Sequence, residues 1–249
     1  MSKNAIITGA GTGVGRHIAI QLSEAGWNLT LTGRTEKTLK ETVGLAEAGD
    51  TNCQTIIGSV ADESFVNELV RKAEDKFGLT EVLVNSAGTN TPERTLDVLS
   101  LKDYHDLINT NLHGSYYAIQ AVLPSMRKAK SGTIVNIVSD AALWGMPLAG
   151  AAYTVSKFGL RGLTQAINAE ENKNGIRACG VLPGEIDTPI LKLRPSEPTA
   201  EHKARMLRPE DVAACAKLAI DLLWHRIGQQ MKRILGKGSN PDTVDLQPC

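Results

Sequence analysis

Aromatic residues make up only 4% of the 249 positions, and neither sign of charge dominates, since 27 Lys and Arg stand against 27 Asp and Glu. A formal charge of zero supplies no electrostatic footprint for nucleic acid or an anionic membrane, so neither is an expected partner. Long apolar runs are also missing. None approaches the roughly 18 consecutive apolar residues of a membrane span, and the stretch Ala5-Ile6-Ile7 is too short for the apolar part of a secretory signal. Cysteine is scarce and scattered: Cys53, Cys179, Cys215 and Cys249 show no C-x-x-C spacing and have no histidine cluster beside them. Neither a disulfide framework nor a zinc site is expected from such spacing. Reduced thiols, no metal and a cytoplasmic location are the expectation.

Aliphatic residues and glycine are abundant, with 42% of the chain hydrophobic and 23 glycines. Short β-branched runs alternate with longer amphipathic stretches up to about residue 182. The strand candidates are Ala5–Ile7, Leu29–Leu31, Gln54–Ile57, Val82–Val84, Ile134–Val138 and Ala178–Leu182. Between them, Phe65, Leu69, Val70, Ala73 and Phe77 recur at helical intervals after Asp62, a suitable N-cap. Ser100 and Asp103 resemble a capping box before one long helical stretch, Leu101 to Met126, and Pro209 opens another helix. Strands of near-continuous apolar character alternating with helices predict an α/β fold, a doubly wound parallel sheet of six or seven strands with helices on both faces. No linker or repeat interrupts the pattern, so residues 1–249 read as a single domain. Residues 188–207, with Pro189, Pro195 and Pro198 amid charges, read as a substrate lid. Residues 236–249 are polar and rich in Gly and Pro, and are expected to be a flexible tail.

Directly after the first strand comes Thr8-Gly9-Ala10-Gly11-Thr12-Gly13-Val14-Gly15, running into helical sequence. Glycines at that point let the backbone turn sharply and approach a pyrophosphate, with N–H groups at a helix N-terminus. The spacing is T-G-x-x-x-G-x-G, built on Gly9, Gly13 and Gly15 with Thr12 and Val14 completing the loop. An NAD-type site would end the second strand on a carboxylate. Here the strand ends Leu31-Thr32-Gly33-Arg34, and a guanidinium would attract a 2′-phosphate. NADP is therefore the expected cofactor, with NAD the alternative.

Tyr153 and Lys157 are spaced i, i+4, which puts phenol and ammonium on one helix face, where a cation favours the phenolate. Fourteen residues upstream, Ser139 follows an apolar run, at the carboxyl end of a strand where parallel sheets bind ligands.

Taken in order, Thr8-Gly9-x-x-x-Gly13-x-Gly15, Asn85-Ser86-Ala87-Gly88, Asn111, Ser139, Tyr153-x-x-x-Lys157 and Pro183-Gly184 with Thr188 resemble the classical short-chain dehydrogenase/reductase family, from about Lys3 to Leu223. The resemblance implies an oxidoreductase interconverting a carbonyl and a secondary alcohol by hydride transfer. Tyr153 would be the general acid/base, Lys157 would lower its pKa and bind the nicotinamide ribose, Ser139 would hold the substrate oxygen, and Asn111 would support a water behind Lys157. Asn85, Ala87 and Gly88 would flank the adenosine ribose; Pro183, Gly184, Ile186 and Thr188 would meet the nicotinamide. It also implies a homotetramer or homodimer, joined through helices around residues 101–129 and 154–173.

The chain departs from the family pattern in places. Ser59 stands where an adenine-binding aspartate is usual, which leaves that contact to Ser59 and the Val60 backbone. Gln230–Gly236 matches the family's last strand weakly, so a seventh strand is expected there or not at all. Thr89, Asn90, Ala141, Leu143, Trp144, Leu148, Glu185 and Leu191 are the candidate substrate-pocket residues, with Trp144 as an apolar wall. A catalytically silent dinucleotide sensor or scaffold of the same fold is the rival reading, and an epimerase or dehydratase a third.

Overall fold

The computed structural model describes residues 3–222 and the backbone of 243–246. Seven parallel strands form one sheet in the order β3-β2-β1-β4-β5-β6-β7. They are β1 (Asn4–Thr8), β2 (Asn28–Gly33), β3 (Cys53–Ile57), β4 (Val82–Asn85), β5 (Gly132–Ile137), β6 (Ile176–Pro183) and β7 (Thr243–Leu246). The chain turns back past β1 to add β4, so the crevice between the carboxyl ends of β1 and β4 is the switch point where open sheets take ligands.

Alternation along each strand feeds two apolar layers. Ala5 and Ile7 of β1 face one side, with Leu29, Leu31 and Val135, under Ile18 and Leu22 of α1 (Gly13–Glu24) and Val212 and Ala216 of α8 (Pro209–Asp221). Ile6, Leu83 and Ile134 face the other, under Leu69 and Ala73 of α3 (Glu63–Phe77) and Ile119 and Met126 of α5 (Gly114–Ala129). Burial of each large aliphatic side chain stabilises the sandwich by about 1.5–3 kcal/mol. Asp62 caps α3, accepting from the N–H groups of Ser64 and Phe65.

The stretch Leu101–Met126, expected as one helix, is helical throughout but changes its winding part-way. α2 (Glu36–Leu45) precedes it in the chain; α4 (Leu101–Ile108) then passes into a wide π-turn, Asn109–His113, before α5. The extra residue in a π-turn redirects the side chains beyond it. Here it buries Asn111 and seats Gly114 against Val60, where a Cβ would lie 2.7 Å from Val60 Cγ2.

β7 also differs from expectation. It lies inside the polar 236–249 segment rather than at Gln230–Gly236, which falls outside the described residues, and it pairs in parallel with Gly180–Pro183. Four residues with main-chain pairing to β6 suffice for an edge strand, whatever the composition around them.

After β6 the chain leaves the sheet and returns. Asp187 N–H donates to Leu207 C=O at 3.0 Å and Leu207 N–H to Glu185 C=O at 2.9 Å, closing a neck around a 3₁₀ turn (Pro189–Leu193) and the short α7 (Ala200–Lys203).

Candidate active site

The carboxyl ends of β1, β2, β4, β5 and β6 open on one cavity of about 490 Å³. At its centre is the loop between β1 and α1. Gly9 has φ +65°, a left-handed conformation that disfavours side chains, and a Cβ there would fall 2.7 Å from the Cα of Ala87. Gly9, Thr12, Gly13 and Val14 line the cavity; Gly15 is buried behind them in α1. Thr12 makes no side-chain cap and the first turn of α1 holds no acidic residue, in contrast to α3. The N–H groups of that turn are therefore left to an anion. The Thr8 hydroxyl accepts from Ser86 and Ala87 N–H, both at 3.1 Å, locking the β4 loop beside the glycines.

At one end of the cavity are Gly33, Arg34, Thr35, Thr38, Ser59 and Val60. No carboxylate lines this end. The nearby acids are engaged elsewhere, Glu36 with Lys40 at 2.7 Å and Glu41 with Arg16 at 3.0 Å.

At the other end, α6 (Ala151–Glu171) presents Tyr153 and Lys157 to Ser139, which follows β5. The Lys157 ammonium, buried, donates to Ile137 C=O at 2.8 Å and sits 5.4 Å from the Tyr153 ring centre. Burial lowers its pKa to about 8. Burial pushes the Tyr153 phenol up to about 12; a hydrogen bond with Ser139 and the Arg94 charge pull it down, and Asp140 pushes it up. Arg94 thus adds a second cation near the phenol, besides the Lys157 to which the sequence pointed. Ser139 Oγ donates to Asp140 Oδ1 at 2.9 Å and accepts from Ala141 N–H at 3.2 Å.

Ala87, Gly88, Pro183, Gly184, Ile186 and Thr188 all border the cavity. Asn85 and Asn111 do not. Asn85 is buried and donates to Asn136 Oδ1 at 2.9 Å, while Asn136 donates to Thr164 of α6 at 2.8 Å, so it braces β4, β5 and α6. Asn111 accepts from Thr89 N–H at 2.8 Å and donates to Thr89 C=O at 3.0 Å and Ser156 Oγ at 3.2 Å. Gly88 lies between it and Lys157, since a Cβ there would be 3.7 Å from Asn111 Oδ1 and 3.9 Å from Lys157 Nζ.

Of the pocket candidates, Asn90, Ala141, Leu148, Glu185 and Leu191 line the cavity, while Thr89, Leu143 and Trp144 do not. Trp144 is 52% exposed, and Met146 and Leu148 form the apolar wall in its place. The 3₁₀ turn Asp140–Ala142 buries its own alanines, Leu143 packs against the cluster of Val138, Ala142, Leu160 and Leu182 away from the cavity, and Trp144 turns to the surface. Sequence reasoning missed Asp140 and Arg94, both on the cavity. Adjacency to Ser139 was the available signal for Asp140; Arg94 had none.

Residues 3–198 match the short chain dehydrogenase family. An uncharacterized oxidoreductase of Staphylococcus saprophyticus is 34% identical, over 88% of this chain and 91% of its own. The 3-oxoacyl-[acyl-carrier-protein] reductase of Staphylococcus epidermidis is 36% identical over 75% of this chain and 76% of its own. Among solved structures, ElxO with NADP bound superposes with a TM-score of 0.83 at 27% identity, covering 99% of this chain and 98% of that one.

Proposed function

Because the chain belongs to the short-chain dehydrogenase family, we propose that it is an NADP(H)-dependent oxidoreductase interconverting a carbonyl and a secondary alcohol, with Tyr153 as general acid/base. The observation that carries this reading is that one continuous cavity joins the glycine loop to Ser139, Tyr153 and Lys157. NADP(H), when bound, supplies or accepts the hydride; the protein supplies orientation and proton management. Tyr153, held protonated at neutral pH, donates its proton to the carbonyl oxygen in reduction, and Ser139 holds that oxygen. Lys157, fixed to Ile137, holds the nicotinamide ribose. Asn111 acts by fixing the Thr89 backbone beside Gly88 and Lys157.

The glycine cradle and the uncapped, acid-free first turn of α1 fit a pyrophosphate. Arg34, with Thr35 and no carboxylate beside it, favours the 2′-phosphate of NADP over the free hydroxyl of NAD. A relative that is a 3-oxoacyl-[acyl-carrier-protein] reductase and a neighbour holding NADP support the same class. The chain reads as one cytoplasmic domain with a substrate lid at 188–207. Exposed Leu101, Tyr116, Val155 and Phe158, on α4, α5 and α6, support a homodimer or homotetramer, which sedimentation would count.

Titration of the purified protein with NADPH and NADH, then a panel of carbonyl substrates followed at the nicotinamide absorbance, tests the reading. Binding with no turnover across a broad panel would favour the sensor; binding of neither cofactor would sink both.

A further inference from the structure

Arg94 is 5% exposed, in the loop after β4, and its guanidinium reaches three main-chain carbonyls on three separate segments. Nε donates to Thr91 at 2.7 Å in its own loop, Nη1 to Leu148 at 2.8 Å in the loop before α6, and Nη2 to Leu193 at the end of the 3₁₀ turn past β6. The carbonyl of Arg94 itself accepts from Ala151 N–H at 3.2 Å, in the first turn of α6, two residues before Tyr153. Asn90 adds a parallel tie to Ala149 C=O at 3.0 Å.

Among the described residues, the other hydrogen bonds of the 188–207 excursion are internal to it or to its neck. Arg194 donates to Glu185 at 2.6 Å, His202 Nε2 meets the other oxygen of Glu185 at 2.6 Å, and Lys203 meets Glu197 at 2.7 Å. The Arg94 bond to Leu193 is of another kind, since it joins the excursion to the body that carries the reacting groups. Among the described residues no carboxylate pairs with Arg94, and burial together with the Arg194 charge lowers its pKa. Burying a cation against carbonyls alone is costly, and the planar guanidinium spreads its five N–H groups to carbonyls lying on different sides of it, whereas an ammonium gathers its three donors at one point.

We propose that Arg94 is the positioning residue that holds the 188–207 excursion down over the substrate end of the cavity and fixes its place relative to Tyr153. The proposal rests on the reading of this cavity as a substrate site, but its main test needs no turnover. Exposed Lys192 immediately precedes the anchored Leu193, so trypsin cleavage of the Lys192–Leu193 bond reports release of the excursion; the following basic residue, Arg194, precedes proline and resists trypsin.

Limited digestion of wild type, Arg94→Lys and Arg94→Gln, with cleavage after Lys40 on α2 as the remote control, should show Lys192 cut faster in both variants by roughly tenfold, about 1.4 kcal/mol of lost closure. Cleavage after Lys40 should not change. Arg94→Lys keeps the charge and loses the fork, so equal acceleration in the two variants assigns the effect to geometry. On any carbonyl that is turned over, KM should rise roughly tenfold in Arg94→Lys while kcat moves far less, the mark of lost binding. An unchanged Lys192 rate in a folded Arg94→Lys protein overturns the proposal, as does equal acceleration at Lys40. Failure of both variants to fold overturns it too, because it would make Arg94 a folding residue.

Discussion

The Lys157 ammonium and the Ile137 carbonyl are joined at 2.8 Å, which ties α6 to the end of β5 two residues before Ser139. One hydrogen bond thus fixes the helix that offers the phenol relative to the strand that offers the hydroxyl.

Replacing Tyr153 by Phe removes the proton donor and leaves the aromatic packing. Turnover of any substrate found by the carbonyl panel should fall by about 10²–10⁴-fold, the usual contribution of a placed general acid. NADPH affinity measured by fluorescence should stay within about twofold, since the ribose contact assigned to Lys157 remains. A variant retaining most activity would remove Tyr153 from the acid/base role.

Arg34→Ala tests cofactor choice. A charge-assisted bond to phosphate is worth about 1.5–3 kcal/mol, so NADPH should bind roughly tenfold or more weakly while NADH changes little. Equal loss for both cofactors would refute the 2′-phosphate assignment.

Burial of Lys157 predicts a pH signature. Its pKa is about 8 in the folded protein, below its ordinary value, so between pH 8 and about 10 the unfolded chain binds more protons and stability rises with pH. Tyr153 and Cys53, raised to about 12 and about 11, act oppositely at high pH, because the fold keeps their protons. The difference between wild type and Lys157→Met isolates the lysine. Denaturant midpoints should show the wild type gaining on the variant by on the order of 1 kcal/mol per pH unit across that window, and parallel curves would contradict the assignment.

Gly114→Ala puts a methyl 2.7 Å from Val60 Cγ2 and 2.9 Å from the Val60 carbonyl oxygen. Overpacking costs about 1–3 kcal/mol, more than the roughly 1 kcal/mol that helix propensity returns. Unfolding should move to lower denaturant and NADPH binding should loosen, because Val60 lines the cavity. A gain in stability would show that the α5 start can back away.

The strand runs were legible because a sheet covered on both faces demands near-continuous apolar sequence, and each of the six runs falls within one strand or extends one residue past its end. Glycine spacing and the Ser139, Tyr153 and Lys157 constellation were legible because their geometry is local or sits at a strand end. The π-turn was not, since the one-residue phase shift it makes at Asn109–His113 is too small for the few apolar residues beside it to mark. β7 was hidden by its brevity. Arg94 was illegible for a different reason: its partners lie 3, 54 and 99 residues away, and no window of sequence brings Leu148 and Leu193 to it. Trp144 misled because size and hydrophobicity do not say which way a short turn points.

The neck formed by Glu185, Asp187 and Leu207 has a consequence for how such a chain diversifies. Entry and exit lie side by side, with Ile186 bridged to Leu207, so the span between them can be lengthened, shortened or exchanged while the sheet and the glycine loop keep their places. On the proposed function such an excursion works as a cassette, and grafting another one across the same neck would change which molecules reach Tyr153 without rebuilding the machinery beneath.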